Sequence, residues 1–181
     1  MPNPCLTRAD AMARLTAGVH PRLNSPMIQS VLFICLGNIC RSPSAEGVLR
    51  AMAADAGLEM HIESAGTGGW HIGNAPYGPA IRAAAARGYD LSQLRARQTT
   101  PADFTTFDLI LAMDADNIHA MEGLRPPGNS TPLRRFLDYA PETGVLHVPD
   151  PYYTDDFDGA LNLIEAAAKG LLKTQLKADM Q

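Results

Sequence analysis

Cys35 and Arg41 stand at the two ends of CLGNICR, and together they have the means to act on a phosphate ester. A thiolate is the reactive form of cysteine and attacks phosphorus. A guanidinium is a planar two-pronged donor that matches two phosphate oxygens. The C-x5-R spacing alone is weak, and Cys35 by itself reads as a core thiol at a strand end. Its neighbours change that reading. Val31-Leu32-Phe33-Ile34 before it is a short apolar run that suits a strand buried on both faces. Ser42 after it is a preferred N-cap and Pro43 a preferred first helical residue, so a helix is predicted from there. Backbone N–H groups in a tight loop before a helix N-terminus converge on one spot, and Gly37 allows the tight turn. The same positive field favours thiolate over thiol at Cys35.

The whole stretch CLGNICRSP resembles the signature loop of the low-molecular-weight protein tyrosine phosphatases. The resemblance continues through SAGT at 64–67, WHIGNAP at 70–76, ARQ at 96–98, Met113-Asp114 and DPYY at 150–153. It covers nearly all of the chain from Ile28 onward. It implies hydrolysis of protein phosphotyrosine through a cysteinyl-phosphate on Cys35, with Asp150 as general acid and then base. Without the resemblance, Asp150 is one loop carboxylate among several, with Asp138, Asp155, Asp156 and Asp158. The resemblance further implies that the run Leu36, Gly37, Asn38, Ile39, Cys40, Arg41 and Ser42 holds the phosphate. Asn38 would brace the strained loop, Ser42 would donate to the thiolate, and Ser64 would join that network. Leu36, Trp70, Tyr152 and Tyr153 match positions that wall the substrate pocket, and apolar or aromatic walls suit an aryl phosphate. Related arginine phosphatases carry Thr at the place of Ile39, which favours phosphotyrosine here. Cys40, on its own a small buried residue, matches a redox partner that forms a reversible disulfide with Cys35 under oxidant. One departure stands out: Leu94 occupies a place where the family often has His, so the loop network is expected to be shorter or closed by water. No cofactor and no metal is expected, because the cradle itself carries positive charge. An acidic pH optimum is expected, since thiolate and protonated carboxyl must coexist.

Other chemistries fit less well. An arginine phosphatase is the nearest alternative. A thioredoxin-coupled arsenate reductase of similar loop needs cysteines downstream, and none follows Cys40. A non-hydrolytic phosphocarrier or phosphate-binding module has no need of both Arg41 and Asp150. His20, His61, His71, His119 and His147 show no ligand spacing and read as surface or loop residues.

The elements that must position these residues follow from periodicity. A helix is predicted over 43–56, with Val48, Leu49, Met52 and Ala53 on one stripe and Gly57 as its left-handed stop. Residues 59–64 alternate as a strand. A Gly-rich loop at 65–78 is followed by a short helix at 79–87 ending at Gly88. Residues 108–113 form another buried apolar strand, and Asp114 can cap a helix running to about Met121. Residues 132–137 are a weak fourth strand, 138–149 a loop, and a last helix starts at Asp155 or Asp156. Strands alternating with helices predict an α/β three-layer sandwich: a central four-stranded parallel sheet, helices on both faces, and the phosphate loop after the first strand.

The chain has 181 residues, 46% hydrophobic and 19% charged, which suits one well-buried globular domain. Its formal net charge of −4 gives no support for nucleic-acid binding. No apolar run reaches the length of a membrane span. Three cysteines, two of them in the loop, are not a disulfide framework and suit a reducing cytoplasm. Residues 1–27 lack apolar periodicity and read as a flexible N-terminal extension or a start codon placed too early; Cys5 has no role there. The domain is expected over 28–181, as a monomer or weak dimer. Its partner is a phosphotyrosine-containing protein, with a tyrosine kinase as counterpart.

Overall fold

In a computed structural model, which describes residues 28–179, the apolar run forms the middle of strand β1 (Ser30–Cys35). The expectations for residues 1–27, Cys5 among them, lie outside the described residues. All six residues of β1 are buried. It pairs in parallel with β2 (His61–Gly66) on one side and β3 (Leu109–Ala112) on the other, and β3 pairs in parallel with β4 (Leu133–Arg135). The sheet has four strands in the order β2-β1-β3-β4. The two central strands are buried on both faces, so they read as unbroken apolar runs.

Alternate side chains of these strands feed two cores. Val31, Phe33, Cys35, Leu109, Leu111 and Met113 pack with Val48, Leu49 and Ala53 of α1 (Arg41–Asp55), and with Ile164, Ala168 and Leu171 of a long helix at 157–179. Leu32, Ile34 and Ile110 pack against Phe104, Phe107 and Met121 on the opposite face. Those residues belong to or adjoin α3 (Asp103–Thr106) and α4 (Ala115–Glu122). With α2 (Gly78–Ala86), α5 (Pro151–Thr154) and the long helix, α6 (Phe157–Asp179), the expected three layers are present. Gly170 on α6 sits directly against Tyr139, where an added Cβ would collide with the Tyr139 carbonyl.

Several boundaries differ from the sequence expectations. Strand β2 starts later and runs to Gly66, with Ile62 and Ser64 buried. Residues Phe136–Tyr139 leave the predicted fourth strand for a 3₁₀ turn. Helix α1 begins at Arg41 with Cys40 as its N-cap residue, not at Ser42, and no side chain caps it. The Ser42 hydroxyl is engaged elsewhere, as described below. The first half of α1 is buried on every side, Ser44 and Glu46 included, so its predicted apolar stripe is only part of its buried surface. Of the two candidate starts for the last helix, Asp156 accepts from Gly159 N at 2.7 Å, while Asp155 is left-handed with φ 57°. Helices α3 and α5 are each four residues long, too short for a periodicity to reveal.

The strand order puts a topological reversal between β1 and β3. The chain leaves β1 for β2 on one side and returns to β3 on the other, so the carboxyl ends of β1 and β3 flank a crevice. Cys35 ends one strand, and Met113-Asp114 follows the other.

Candidate active site

The loop after β1 closes over the Cys35 sulfur. Asn38 N donates to Cys35 Sγ at 3.2 Å, and Ser42 Oγ lies 3.0 Å from the same sulfur. The left-handed residue of the loop is Asn38, with φ 54°, and not Gly37. Asn tolerates this region better than most residues, but the conformation still has to be held from outside. Its side chain is held on both ends. Oδ1 accepts from Arg97 N at 3.0 Å, and Nδ2 donates to Ser42 Oγ at 2.9 Å and Ser64 Oγ at 2.8 Å. Ser42 is therefore tied beneath the sulfur, which leaves the free N–H groups of α1 facing the loop. At Gly66 an added Cβ would stand 2.9 Å from Leu36 O and 3.1 Å from Asn38 N, so the SAGT glycine lets β2 approach the loop.

Arg41 is 5% exposed and closes the other side of the cradle. Its Nη1 donates to Asp114 Oδ2 at 2.7 Å and to Val148 O at 3.2 Å, and its Nη2 donates to Asp150 Oδ2 at 2.9 Å. Burial works against the charge, but Cys35, Asp150 and Asp114 outweigh it and hold the guanidinium above its ordinary value. Arg41 Nε is buried and has no acceptor among the described residues.

DPYY is a helix start. Asp150 is the N-cap of α5, accepting from Tyr152 N at 3.1 Å, and Pro151 occupies the first turn, where its missing N–H costs nothing. The cap turns the second carboxylate oxygen toward Arg41. Asp150, Tyr152 and Tyr153 share a cleft of about 340 Å³ with Cys35, Leu36, Gly37, Ile39, Cys40, Arg41 and Trp70. Trp70 is 72% and Tyr153 77% exposed, so both are wall residues and not core. Asn38, Ser42 and Ser64 lie behind the cleft, bracing it.

Sequence reasoning missed four contributors. His71, read as a surface or loop residue, lines the cleft, and its Cδ2 would lie 3.1 Å from a Cβ at Gly37. Asp114, read as a helix cap, does cap α4 through Asn117 N at 2.8 Å but also grips Arg41. Arg97 supplies the N–H that fixes Asn38, while its guanidinium pairs with Glu63 and Asp103 at 3.0 and 3.1 Å. Glu46 extends the network expected to be shorter or closed by water: Ser64 Oγ donates to its Oε2 at 2.6 Å. The ARQ motif pointed toward Arg97, but Glu46 looked like any helical carboxylate. The Cys40 thiol is pushed up to about 12 by burial and by the charges on Asp150 and Cys35, with Arg41 opposing. The shift favours its protonated form.

A sequence model of the "Low molecular weight phosphotyrosine protein phosphatase" family matches residues 30–181. The chain is similar to the low molecular weight protein-tyrosine-phosphatase YfkJ of Bacillus subtilis, with 44% identity over 79% of this chain and 93% of that protein. It is also similar to the human low molecular weight phosphotyrosine protein phosphatase, with 38% identity over 72% of this chain and 84% of that protein. The crystal structure of YfkJ superposes with a TM-score of 0.79, covering 87% of this chain and 99% of that one. With its thiol loop, arginine and aspartate assembled on this sheet, the chain belongs to the low molecular weight phosphotyrosine protein phosphatase family.

Proposed function

We propose that the protein hydrolyses phosphotyrosine in protein substrates, with Cys35 as nucleophile, Arg41 as phosphate clamp and Asp150 as general acid and base. The observation that carries this reading is the Cys35 sulfur gripped by Asn38 N and Ser42 Oγ beside a buried Arg41, with Asp150 bonded to that arginine. The phosphoryl group sits within the loop 36–42, facing the amino end of α1. Its oxygens take the loop N–H groups and supply the acceptor that Arg41 Nε lacks among the described residues. Leu36, Trp70, Tyr152 and Tyr153 flank the aryl ring.

The Cys35 thiolate attacks phosphorus in line, and the phosphorus–oxygen bond to the aryl group breaks. Asp150 gives that oxygen its proton. Water then attacks the cysteinyl-phosphate, Asp150 takes a proton from it, and inorganic phosphate leaves with the thiolate restored. Ser42 Oγ, 3.0 Å from the sulfur, donates to the departing thiolate. The equatorial oxygens stay in the same donor cradle through both steps, so preorganised electrostatics supplies most of the rate. Under peroxide the Cys35 thiolate is oxidised to a sulfenic acid, the Cys40 sulfur attacks that sulfur, the S–O bond breaks and water leaves, and the resulting disulfide spares Cys35 from further oxidation. The catalytic unit spans 28–181. It works in the cytoplasm against a tyrosine kinase. Among the described residues no helix is long and apolar enough to cross a membrane.

The test is turnover of p-nitrophenyl phosphate, then of phosphotyrosine and phosphoarginine peptides in parallel. Cys35→Ser is expected to abolish turnover and still bind vanadate; retained turnover removes Cys35 from the reaction. Preference for phosphoarginine would replace the phosphotyrosine reading, which Ile39 and the aromatic walls support.

A further inference from the structure

Glu46 is a carboxylate 4% exposed that the reaction does not use. Its Oε2 accepts from Ser64 Oγ at 2.6 Å, and its Oε1 pairs with Arg50 Nη2 at 2.7 Å. Arg50 is anchored in turn, donating to Ile62 O from Nε at 3.2 Å and Nη2 at 2.8 Å.

Hydrogens can be assigned along this chain of groups. The Arg97 main-chain N–H can only donate, so the Asn38 atom facing it is the amide oxygen and the NH₂ faces the serines. Asn38 Nδ2 places its hydrogens on Ser42 and Ser64. Each hydroxyl thus accepts from Asn38 and keeps one hydrogen to give. Ser64 gives its hydrogen to Glu46. Ser42 has the Cys35 sulfur at 3.0 Å and Ala65 O at 3.3 Å, and an ionised sulfur is the stronger pull.

That order depends on the charge at residue 46. An ionised carboxylate only accepts, so Ser64 must donate to it and is left open to Asn38. Because Oε1 receives Arg50, a proton on Glu46 goes to Oε2 and points at Ser64. Ser64 would then accept from both Glu46 and Asn38, and its own hydrogen would lose the acceptor that fixes the hydroxyl, so the anchor it gives Asn38 would no longer be oriented. Asn38 is the left-handed residue whose N–H lies 3.2 Å from the sulfur.

We propose that Glu46 is a positioning residue for the nucleophile: its ionised carboxylate orients the Ser64–Asn38–Ser42 chain so that the Ser42 hydroxyl and the Asn38 N–H both donate to the Cys35 sulfur. Burial pushes Glu46 above the ordinary carboxylate range, the Ser64 bond and Arg50 pull it down, Glu63 pushes it up and Arg97 pulls it down. The net direction is upward, so the loop loses its orientation at a higher pH than an exposed carboxylate would allow.

The proposal rests on the phosphatase reading, and the experiment separates the two. Parent protein that neither turns over p-nitrophenyl phosphate nor is protected by phosphate from iodoacetate at Cys35 defeats the phosphatase reading itself. With that reading in place, the amide introduced by Glu46→Gln turns its oxygen to Arg50 and its NH₂ to Ser64, the polarity of a protonated carboxyl. The Cys35 alkylation profile is then expected about one pH unit higher, and kcat about tenfold lower with KM within about twofold. Ser64→Ala, which leaves Glu46 and Arg50 in place, is expected to give the same shift, and the double variant no more than either alone. A Glu46→Gln profile that superimposes on the parent, or effects of the two substitutions that add in the double variant, would overturn the proposal. If Glu46→Gln does not fold, Arg50→Gln on the half-exposed Arg50 removes the cation that holds the carboxylate ionised. The acidic limb of kcat is then expected to move to higher pH, and an unmoved limb overturns the proposal.

Discussion

Asp114 Oδ2 lies 2.7 Å from Arg41 Nη1, and its other oxygen accepts from Asn117 N at 2.8 Å. One side chain therefore caps α4 and clamps the arginine of a loop 73 residues away. The two tasks divide between its two oxygens. The end of β3 is thereby tied to the phosphate site, and the guanidinium is oriented before substrate arrives.

Asp114→Asn keeps an oxygen for the cap and removes the charge facing Arg41. Thermal stability is expected to change by no more than about 1 kcal/mol, the scale of a cap. The inhibition constant for inorganic phosphate is expected to rise about tenfold or more, the scale of a charge-assisted hydrogen bond. Unchanged phosphate inhibition would mean that Asp150 and Val148 O alone hold the arginine.

Asp150→Asn removes the proton donor and leaves the α5 cap an oxygen. The loss in kcat is expected to be largest for esters with poor leaving groups, about 10²-fold or more, and small for p-nitrophenyl phosphate. A plot of rate against leaving-group acidity checks this. An equal loss across the series would show that Asp150 acts only by holding Arg41.

The raised Cys40 thiol carries a signed pH effect. Its value is pushed up from 9.0 to about 12, so folding favours the protonated form. Stability from this group is complete below 9.0 and declines as pH rises toward 12, because the unfolded chain loses the proton first. Melting temperature is expected to fall across that window less steeply in Cys40→Ser than in the parent. At neutral pH iodoacetate is expected to label Cys35 and spare Cys40. After peroxide, reductant is expected to restore the parent and to leave Cys40→Ser inactive; equal recovery would argue against a protective disulfide.

Gly170→Ala tests the packing of α6. Intrinsic helix propensity would make this change stabilising by about 1 kcal/mol. The collision with the Tyr139 carbonyl predicts the opposite sign, a loss of about 1–3 kcal/mol from overpacking. Denaturant midpoints decide the sign directly.

The local features were legible in the residues alone. Apolar runs at 31–34 and 109–113 announce buried parallel strands, because such strands have no solvent face to write in polar residues. The thiol, the glycine and the arginine of the loop are contiguous, so their joint chemistry is visible at once. Asp150 was identified through the DPYY resemblance, since nothing local separates it from Asp138 or Asp156. What only the tertiary structure decided are pairings between distant residues. Asp150 meets Arg41 across 109 positions, and Arg97 N meets Asn38 across 59. Ser42 shows the limit most plainly. Its neighbours mark it as a helix cap, but the sulfur and the Asn38 amide compete for its hydroxyl and win, and Cys40 takes the cap position instead. Glu46 carries no local sign of its place at all: a helical glutamate becomes a buried anion only when β2 lays Ser64 against it. Periodicity records which face of an element is buried; which polar groups meet there depends on how the elements pack.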